Sequence, residues 1–299
     1  MRVSVSIVTY RSRDSIDACL DSVRAQRDCV GEVLVVDNHP SEGIADHVRR
    51  RHPGASVASM ARNAGYAAAH NYNFARAREA AFLALNPDVV LEPGFLGALI
   101  GALQADARVG AATGRLLAPG EPTSIDSAGI ARGRARLRFV DRGRGERPAR
   151  FDAEEDVFGP CGAAALYRRS ALEAVCRPGE APFAERFFMY YEDVDLAWRL
   201  RRAGFRARYV PRAQARHRRG GSGASPAFVE YHLVRNRLWL TLRNASGHDL
   251  LRELPGLALF EAAKLVQSIR RPHLRAALRD QLRGVRDCFR ERRRAAARP

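Results

Sequence analysis

Lysine is almost missing from this 299-residue chain. Lys264 is the only one among 50 basic residues, set against 33 acidic ones for a formal charge of +17. So one-sided a use of arginine follows codon composition as readily as selected binding. It weakens the usual inference from a basic chain to nucleic acid or an anionic membrane. Cysteine is sparse and odd in number: Cys19, Cys29, Cys161, Cys176 and Cys288 stand far apart. Without paired spacing they exclude a zinc ribbon or a dithiol motif, and they fit a reduced, cytoplasmic compartment. Long apolar runs are missing too. The most apolar late stretch, Leu254 to Ile269, is interrupted by Glu261 and Lys264 and is too short to span a bilayer. The chain opens on a strand pattern, Val3–Tyr10, where a signal peptide would carry a cationic and then an apolar segment. A soluble or peripheral protein is expected, and no internal repeat breaks it into modules.

What is present is a foldable chain. A hydrophobic fraction of 46% is ample for a packed core, and the length suits one large domain with an extension or two modest ones. The charge is unevenly spread: residues 235–299 carry 16 basic and 6 acidic side chains, a net +10, leaving +7 for the first 234. The first hundred residues alternate strand and helix: strand Val3–Tyr10, helix Ser15–Gln26, strand Glu32–Val36, helix Tyr66–Ala80, strand Ala81–Leu85 and a helix around Phe95–Leu103. That rhythm predicts an α/β fold with a doubly wound, mainly parallel sheet. Residues 118–160, rich in Gly, Arg and Asp, predict loops with short strands. The pattern then resumes with Cys161–Tyr167, Ser170–Val175, a helix from about Asp193 to Gly204 and a strand Phe205–Val210. The tail reads as helical and basic. Leu274, Leu278, Leu282, Val285 and Phe289 form an apolar stripe flanked by Arg275, Arg279, Arg283, Arg286 and Arg290.

The chemistry concentrates in carboxylates at predicted strand ends. Asp37 and Asp88 each follow a strand directly, where the carboxyl ends of an open α/β sheet line a ligand crevice. Asp88, aimed by Pro87, suits hard Mg²⁺ or Mn²⁺ completed by phosphate oxygens, although Asn-Pro-Asp is also good turn chemistry. Asp37 with Asn38 suits a nucleobase or ribose. Arg62-Asn63-Ala64-Gly65 resembles a turn into an anion-welcoming helix N-terminus, or a helix cap. The costliest charge is Glu192-Asp193-Val194-Asp195, three carboxylates beside the aromatic run Phe187-Phe188-Met189-Tyr190-Tyr191. Asp195 and Arg199 are four apart and pair on a helix. A helix cap needs one acid, so the cluster points to a proton-transfer base. His217, following the last strand, reads as a surface residue or as a metal or phosphate contact.

Taken in order, Ser6-Ile7-Val8-Thr9-Tyr10, Val35-Val36-Asp37-Asn38, Asn63-Ala64-Gly65-Tyr66, Leu85-Asn86-Pro87-Asp88 and Tyr191-Glu192-Asp193-Val194-Asp195-Leu196 with Arg199 resemble the family-2 glycosyltransferases. Asp126-Ser127-Ala128-Gly129, Gly162-Ala163-Ala164, Phe187-Phe188-Met189-Tyr190 and His217 with Gly221-Ser222 sharpen the likeness toward its rhamnosyltransferase-like branch, over about residues 3–240. The resemblance implies a GT-A fold, with a catalytic domain over 1–235 and a basic helical extension over 236–299. It implies that Asp193 is the catalytic base and that Asp88, with His217, holds Mg²⁺ or Mn²⁺. Thr9, Asp37, Asn63, Gly65, Glu192, Asp195 and Arg199 would serve donor and acceptor binding.

Two positions depart from the family pattern. Asn86 stands where many relatives carry a first aspartate, and Ala184 where a Gly-Phe-Asp-Glu run has its acid. The expectation is an inverting, metal-dependent transferase moving a sugar, rhamnose from dTDP-rhamnose by preference, onto a lipid-linked or polysaccharide acceptor. Its place is cytoplasmic, peripheral on the inner face of the plasma membrane, with the helix at 273–290 either resting on anionic lipid or packed on the domain. The rivals are a catalytically silent nucleotide-sugar binder and a basic nucleic-acid binder. The latter is disfavoured because 270–299 holds Phe289 as its one aromatic.

Overall fold

The computed structural model describes residues 1–120, 123–133, 139–176, 180–220 and 223–296, with side chains as far as Phe289. Gly221, Ser222 and the side chain of Arg290 lie outside the described residues. In chain order the elements are β1 (Val3–Thr9), α1 (Ile16–Arg24), β2 (Val30–Asp37), α2 (Ile44–Arg51), β3 (Ala55–Ser59), α3 (Gly65–Arg76), β4 (Ala81–Leu85), β5 (Val89–Leu91), α4 (Phe95–Ala105) and β6 (Val109–Leu117). Then come β7 (Ile125–Ser127), β8 (Ile130–Arg132), β9 (Phe139–Asp141), β10 (Glu155–Val157), β11 (Ala164–Arg168), α5 (Arg169–Val175), α6 (Glu192–Arg202), β12 (Arg206–His217), α7 (Pro226–Asn244), α8 (Gly247–Ser268) and α9 (Pro272–Ala296).

Among the described residues one large sheet runs β10-β12-β6-β11-β4-β1-β2-β3, with β5 paired to β12 and β7 to β6. Strands β3, β2, β1, β4, β6 and β12 share one direction, and β11, inserted antiparallel between β4 and β6, makes the sheet mixed. Every residue of β1 and β4 is buried, because helices cover both faces. Val3, Val5, Ile7, Leu83 and Leu85 pack toward α1, α2 and α4. Phe82, Ala84 and Leu34 pack on the other face, toward α3, α5 and α6.

Two elements differ instructively from expectation. The last strand continues through Pro211 to His217, because a register shift between Val210 and Gln214 lets the proline sit where no ladder hydrogen bond is required. Helix α3 stops at Arg76, four residues short of Ala80. There the next amides are taken by strand side chains: Arg78 N donates to Glu32 Oε1 at 2.6 Å and Glu79 N to Ser4 Oγ at 3.1 Å.

The tail is welded to the catalytic half. Phe187, Val194 and Trp198 share a core cluster with Trp239, Leu240 and Cys288, and the expected boundary at 235/236 falls inside α7. Trp239 Nε1 donates to Gln281 O at 2.7 Å, across a close approach of α7 and α9 at Gly284.

Candidate active site

Sheet direction gathers the candidates. The shared direction of β1, β2, β4, β6 and β12 brings Thr9, Asp37, Leu85 and His217 to one edge. Antiparallel β11 starts at that edge, so Cys161-Gly162-Ala163 lies beside the turn leaving β4, and Asn86 N donates to Ala163 O at 2.9 Å. Asp88 reaches the same place through β5, whose Val89 pairs with His217. Strand ends from Thr9 to His217, in no simple spacing, thus meet along one rim, as ligand crevices do in such sheets.

Asp88, His217 and Asp126 form a buried line. His217 Nε2 stands 3.4 Å from Asp88 Oδ1, close enough for an ion pair but not a formed hydrogen bond, and Asp88 Oδ1 is left without one. His217 Nδ1 meets Asp126 Oδ2 at 2.7 Å. Burial alone would lower the imidazole pKa, but the hydrogen bond to Asp126 and the Asp88 carboxylate beside the ring carry it up to about 9. Arg219 bonds Asp126 with one nitrogen and Asp141 Oδ2, at 2.6 Å, with another. Burial would raise the Asp126 carboxyl, yet His217 and Arg219 hold it below its usual range.

Asp193 faces this rim from the first turn of α6. Its Oδ2 accepts from Gly162 N at 3.1 Å and its Oδ1 from Val194 N at 2.8 Å. Burial lifts its pKa to about 6 against the pull of those two amides. Tyr66 Oη donates to Gly162 O at 2.6 Å and so steadies the residue whose amide positions the carboxylate. A side chain at Gly162 would begin 3.1 Å from Asp193 Oδ2, so glycine here permits the contact. Glu192 is buried beside it, its Oε2 without a hydrogen bond, and burial and then the Asp193 charge push its carboxyl well up.

The aromatic run that leads into α6 is strained. Phe188, Tyr190 and Tyr191 all have positive φ (64°, 66° and 72°), a region costly for aromatic residues. The buried Asn236 side chain of α7 holds it: its Nδ2 lies 2.9 Å from the carbonyl oxygens of Phe187, Met189 and Tyr190. Arg235 adds a bond to Phe187 O at 2.7 Å. On the opposite side Phe188 O accepts from Ala67 N of α3, and Gly65, at φ +86°, is needed because a Cβ would lie 2.6 Å from that oxygen.

The other expected residues take different places. Thr9 is buried at the end of β1 and donates to Val36 O at 3.2 Å. Asp37 accepts from His39 N and from Ala45 N in the first turn of α2, at 3.1 and 3.2 Å. Asn63 accepts from Gly65 N and from Asn38 Nδ2, tying the β2 end to the α3 turn. Asp195 and Arg199 stand behind the rim: Asp195 is wholly buried, its oxygens taken by Arg199, Arg243 and Asn244 at 2.7–3.0 Å. Arg199 also donates to Val175 O and Pro182 O. Neither side chain opens onto the crevice. Arg219 and Asn236 had no spacing signal in the sequence, and Asp126 had one only within its Asp-Ser-Ala-Gly motif.

A family model, Glycosyl transferase family 2, matches residues 4–176. The chain belongs to this family. This family-2 glycosyltransferase is 30% identical, over 245 residues, to N-acetylglucosaminyl-diphospho-decaprenol L-rhamnosyltransferase of Mycobacterium tuberculosis, covering 75% of this chain and 78% of the relative. Its fold is that of solved glycosyltransferases. GalNAc-T7 with UDP, GalNAc and Mn2+ superposes with a TM-score of 0.63 at 12% identity, over 81% of this chain and 48% of that longer one. The mannosyltransferase PcManGT of Pyrobaculum calidifontis with GDP-Man and Mn2+ follows at 0.58 and 22%, over 93% of this chain and 74% of that one. The GT-A sheet expected from the sequence is therefore the fold, and glycosyl transfer is the activity of the family. The nucleic-acid alternative is not favoured. The family match ends before α6, so the roles of Asp193 and His217 rest on geometry.

Proposed function

We propose that this glycosyltransferase inverts the anomeric centre of a nucleotide-sugar, with rhamnose from dTDP-rhamnose the preferred donor, onto a lipid-linked or polysaccharide hydroxyl in surface-glycan synthesis. The observation that carries it is Asp193: a carboxylate held by the Gly162 amide at the sheet rim, its pKa lifted toward neutrality where a general base works best. Asp193 takes the acceptor hydroxyl's proton as that oxygen bonds the anomeric carbon. The bond from that carbon to the diphosphate oxygen breaks, and its electron pair leaves with the nucleoside diphosphate. The likeness to the mycobacterial rhamnosyltransferase, whose name specifies a diphospho-decaprenol substrate, supports a lipid-linked acceptor and peripheral work at the cytoplasmic face.

A divalent cation fits the residues present. Asp88 has a buried oxygen without a hydrogen bond, and His217 Nε2 points at it while Nδ1 is oriented by Asp126, the usual carboxylate–histidine support of a ligand. Among the described residues no three acidic, histidine or cysteine side chains converge to hold a metal unaided. Mg²⁺ or Mn²⁺ sites of this kind are completed by substrate phosphate. When bound, the cation neutralises charge on the departing diphosphate. Asp37, Asn38 and Thr9 then border the nucleoside, and Glu192 the sugar.

The test is transfer or donor hydrolysis across thymidine, uridine and guanosine diphosphate sugars, with Mg²⁺ or Mn²⁺ and with chelator. Thymidine or uridine donors should be turned over and should stabilise the fold in thermal shift. Turnover confined to guanosine donors would overturn the donor assignment, and undiminished turnover in chelator would overturn the metal.

A further inference from the structure

Helix α8 turns much of its apolar surface outward. Its most buried side chains are Leu257 and Ser268, Leu250 packs on the α6–α7 core, and polar ties join the rest to the protein. Lys264 Nζ lies 2.8 Å from Glu230 Oε1 of α7, Gln281 Nε2 of α9 donates to Glu261 Oε1 at 3.2 Å, and the Arg237 guanidinium sits 3.7 Å over the Phe260 ring. The solvent side is apolar. At about 100° per residue, Leu251, Leu254, Leu259, Leu265, Val266 and Ile269 fall within an arc of about 140°, with only alanine and Pro255 in the gaps. Leu251 is 75% exposed and Ile269 73%. The strip is about 27 Å long at 1.5 Å per residue. A soluble helix normally shows the reverse pattern, and an exposed apolar strip of this length marks an interaction surface.

Charge indicates what covers it. Arg270 and Arg271 are exposed where α8 passes into α9. On α9 the residues Arg275, Arg279, Leu282, Arg286 and Phe289, all exposed, share an arc of about 80°. Two copies facing each other would bring together two segments of net +10, which disfavours self-association. Apolar side chains bordered by guanidinium groups match an anionic bilayer surface, where the chains enter the headgroup boundary and the cations meet phosphates. No described helix is long and apolar enough to cross the membrane, so this one lies along it.

We infer that α8 is the element by which this protein sits on an anionic membrane, its Leu251–Ile269 face in the headgroup layer and the α9 arginines alongside. This reassigns the contact expected at 273–290. Leu274, Ala277 and Cys288 of α9 are buried against α7 and α6, so α9 contributes charge while α8 contributes the apolar face. The inference extends the proposed lipid-linked acceptor but stands on the helix itself.

The full chain is tested by co-sedimentation with phosphatidylcholine vesicles with and without phosphatidylglycerol. It should bind only the anionic vesicles and be weakened by salt. The variant Leu251→Glu, Leu265→Glu, Ile269→Glu should lose binding at least about tenfold, while its melting temperature and donor hydrolysis stay unchanged. Arg275→Gln, Arg279→Gln, Arg286→Gln should weaken binding and flatten its salt dependence. Three results would overturn the inference: no binding by the natural chain, equal binding by the glutamate variant, or a dimer in solution that the glutamate variant splits while vesicles bind neither. Donor hydrolysis is measured in parallel, so its absence with vesicle binding intact counts against the transfer chemistry alone.

Discussion

Asp193, half-buried, and Asp195, wholly buried, are two residues apart on α6, and the fold treats the tip and the flank of this helix in opposite ways. At the tip, burial lifts the Asp193 carboxyl to about 6, opposed by the backbone amides of Gly162, Val194 and Asp193 itself. On the flank, burial pushes Asp195 up as well, but Arg199, Arg243 and Asn244 overcome it and hold the carboxyl at about 2. Asp195 lies deeper, and what sets its pKa apart is the cations beside it. A carboxylate offered to substrate must stay clear of a paired cation and keep a basicity near neutral; one that locks two helices together must be fully paired. One helix supplies both because its period turns adjacent acids to different neighbours.

The sharpest way to break the comparison is at the tip. Asp193→Asn should lower the transfer rate about 10²–10⁴-fold, measured with the preferred nucleotide-sugar. It should leave the fold intact and even stabilise it by about 1 kcal/mol above pH 6, since a buried carboxylate with a raised pKa costs stability when ionised. A variant with normal turnover would remove the base assignment. At the flank, Asp195→Ala strands Arg199, leaves Arg243 with Glu180 alone, and should cost about 3–5 kcal/mol in urea denaturation. A soluble, stable and inactive Asp195→Ala protein would instead place Asp195 in the chemistry.

Asn236→Ala should come next. Loss of the amide that reaches three carbonyls of a strained run should cost about 1–3 kcal/mol and lower kcat more than it raises KM, because the loop aims Asp193. The smallest effects are those of pH. With Asp193 as base, the rate should fall about tenfold per unit below pH 6, as the carboxyl protonates. The Asp195 contribution to stability has the other sign. Its folded pKa is depressed, so the stabilisation is present above the ordinary value of about 3.9 and is lost only as pH falls toward about 2. Inactivation near pH 5 with retained fold would separate the two acids in a single titration.

Much of this was legible in one dimension. The strand–helix alternation through Leu103, the acids after β2 and β4 and the acidic cluster at α6 are local patterns, and the family motifs lie in order along them. The strand β6 escaped notice although it is central to the sheet. Val-Gly-Ala-Ala-Thr-Gly carries no alternation, and glycine and alanine become strand residues here only because neighbours bury both faces. His217 read as a residue beyond the last strand, since the register shift that carries the strand past Pro211 is a property of the pair. The helical stripe at 273–290 could be read as packed or lipid-bound, and the fold divides it: Leu274 is buried against α7 while Leu282 and Phe289 stay exposed.

The sequence by itself determined the α/β alternation, the positions of the strand-end acids and the surplus of arginine toward the C-terminus, because each depends on residue type and period alone. Tertiary structure decided which acid is free and which is bound. Gly162, Arg243 and Asn244 come from far along the chain, and a carboxylate's pKa depends on what stands within a few ångströms of it.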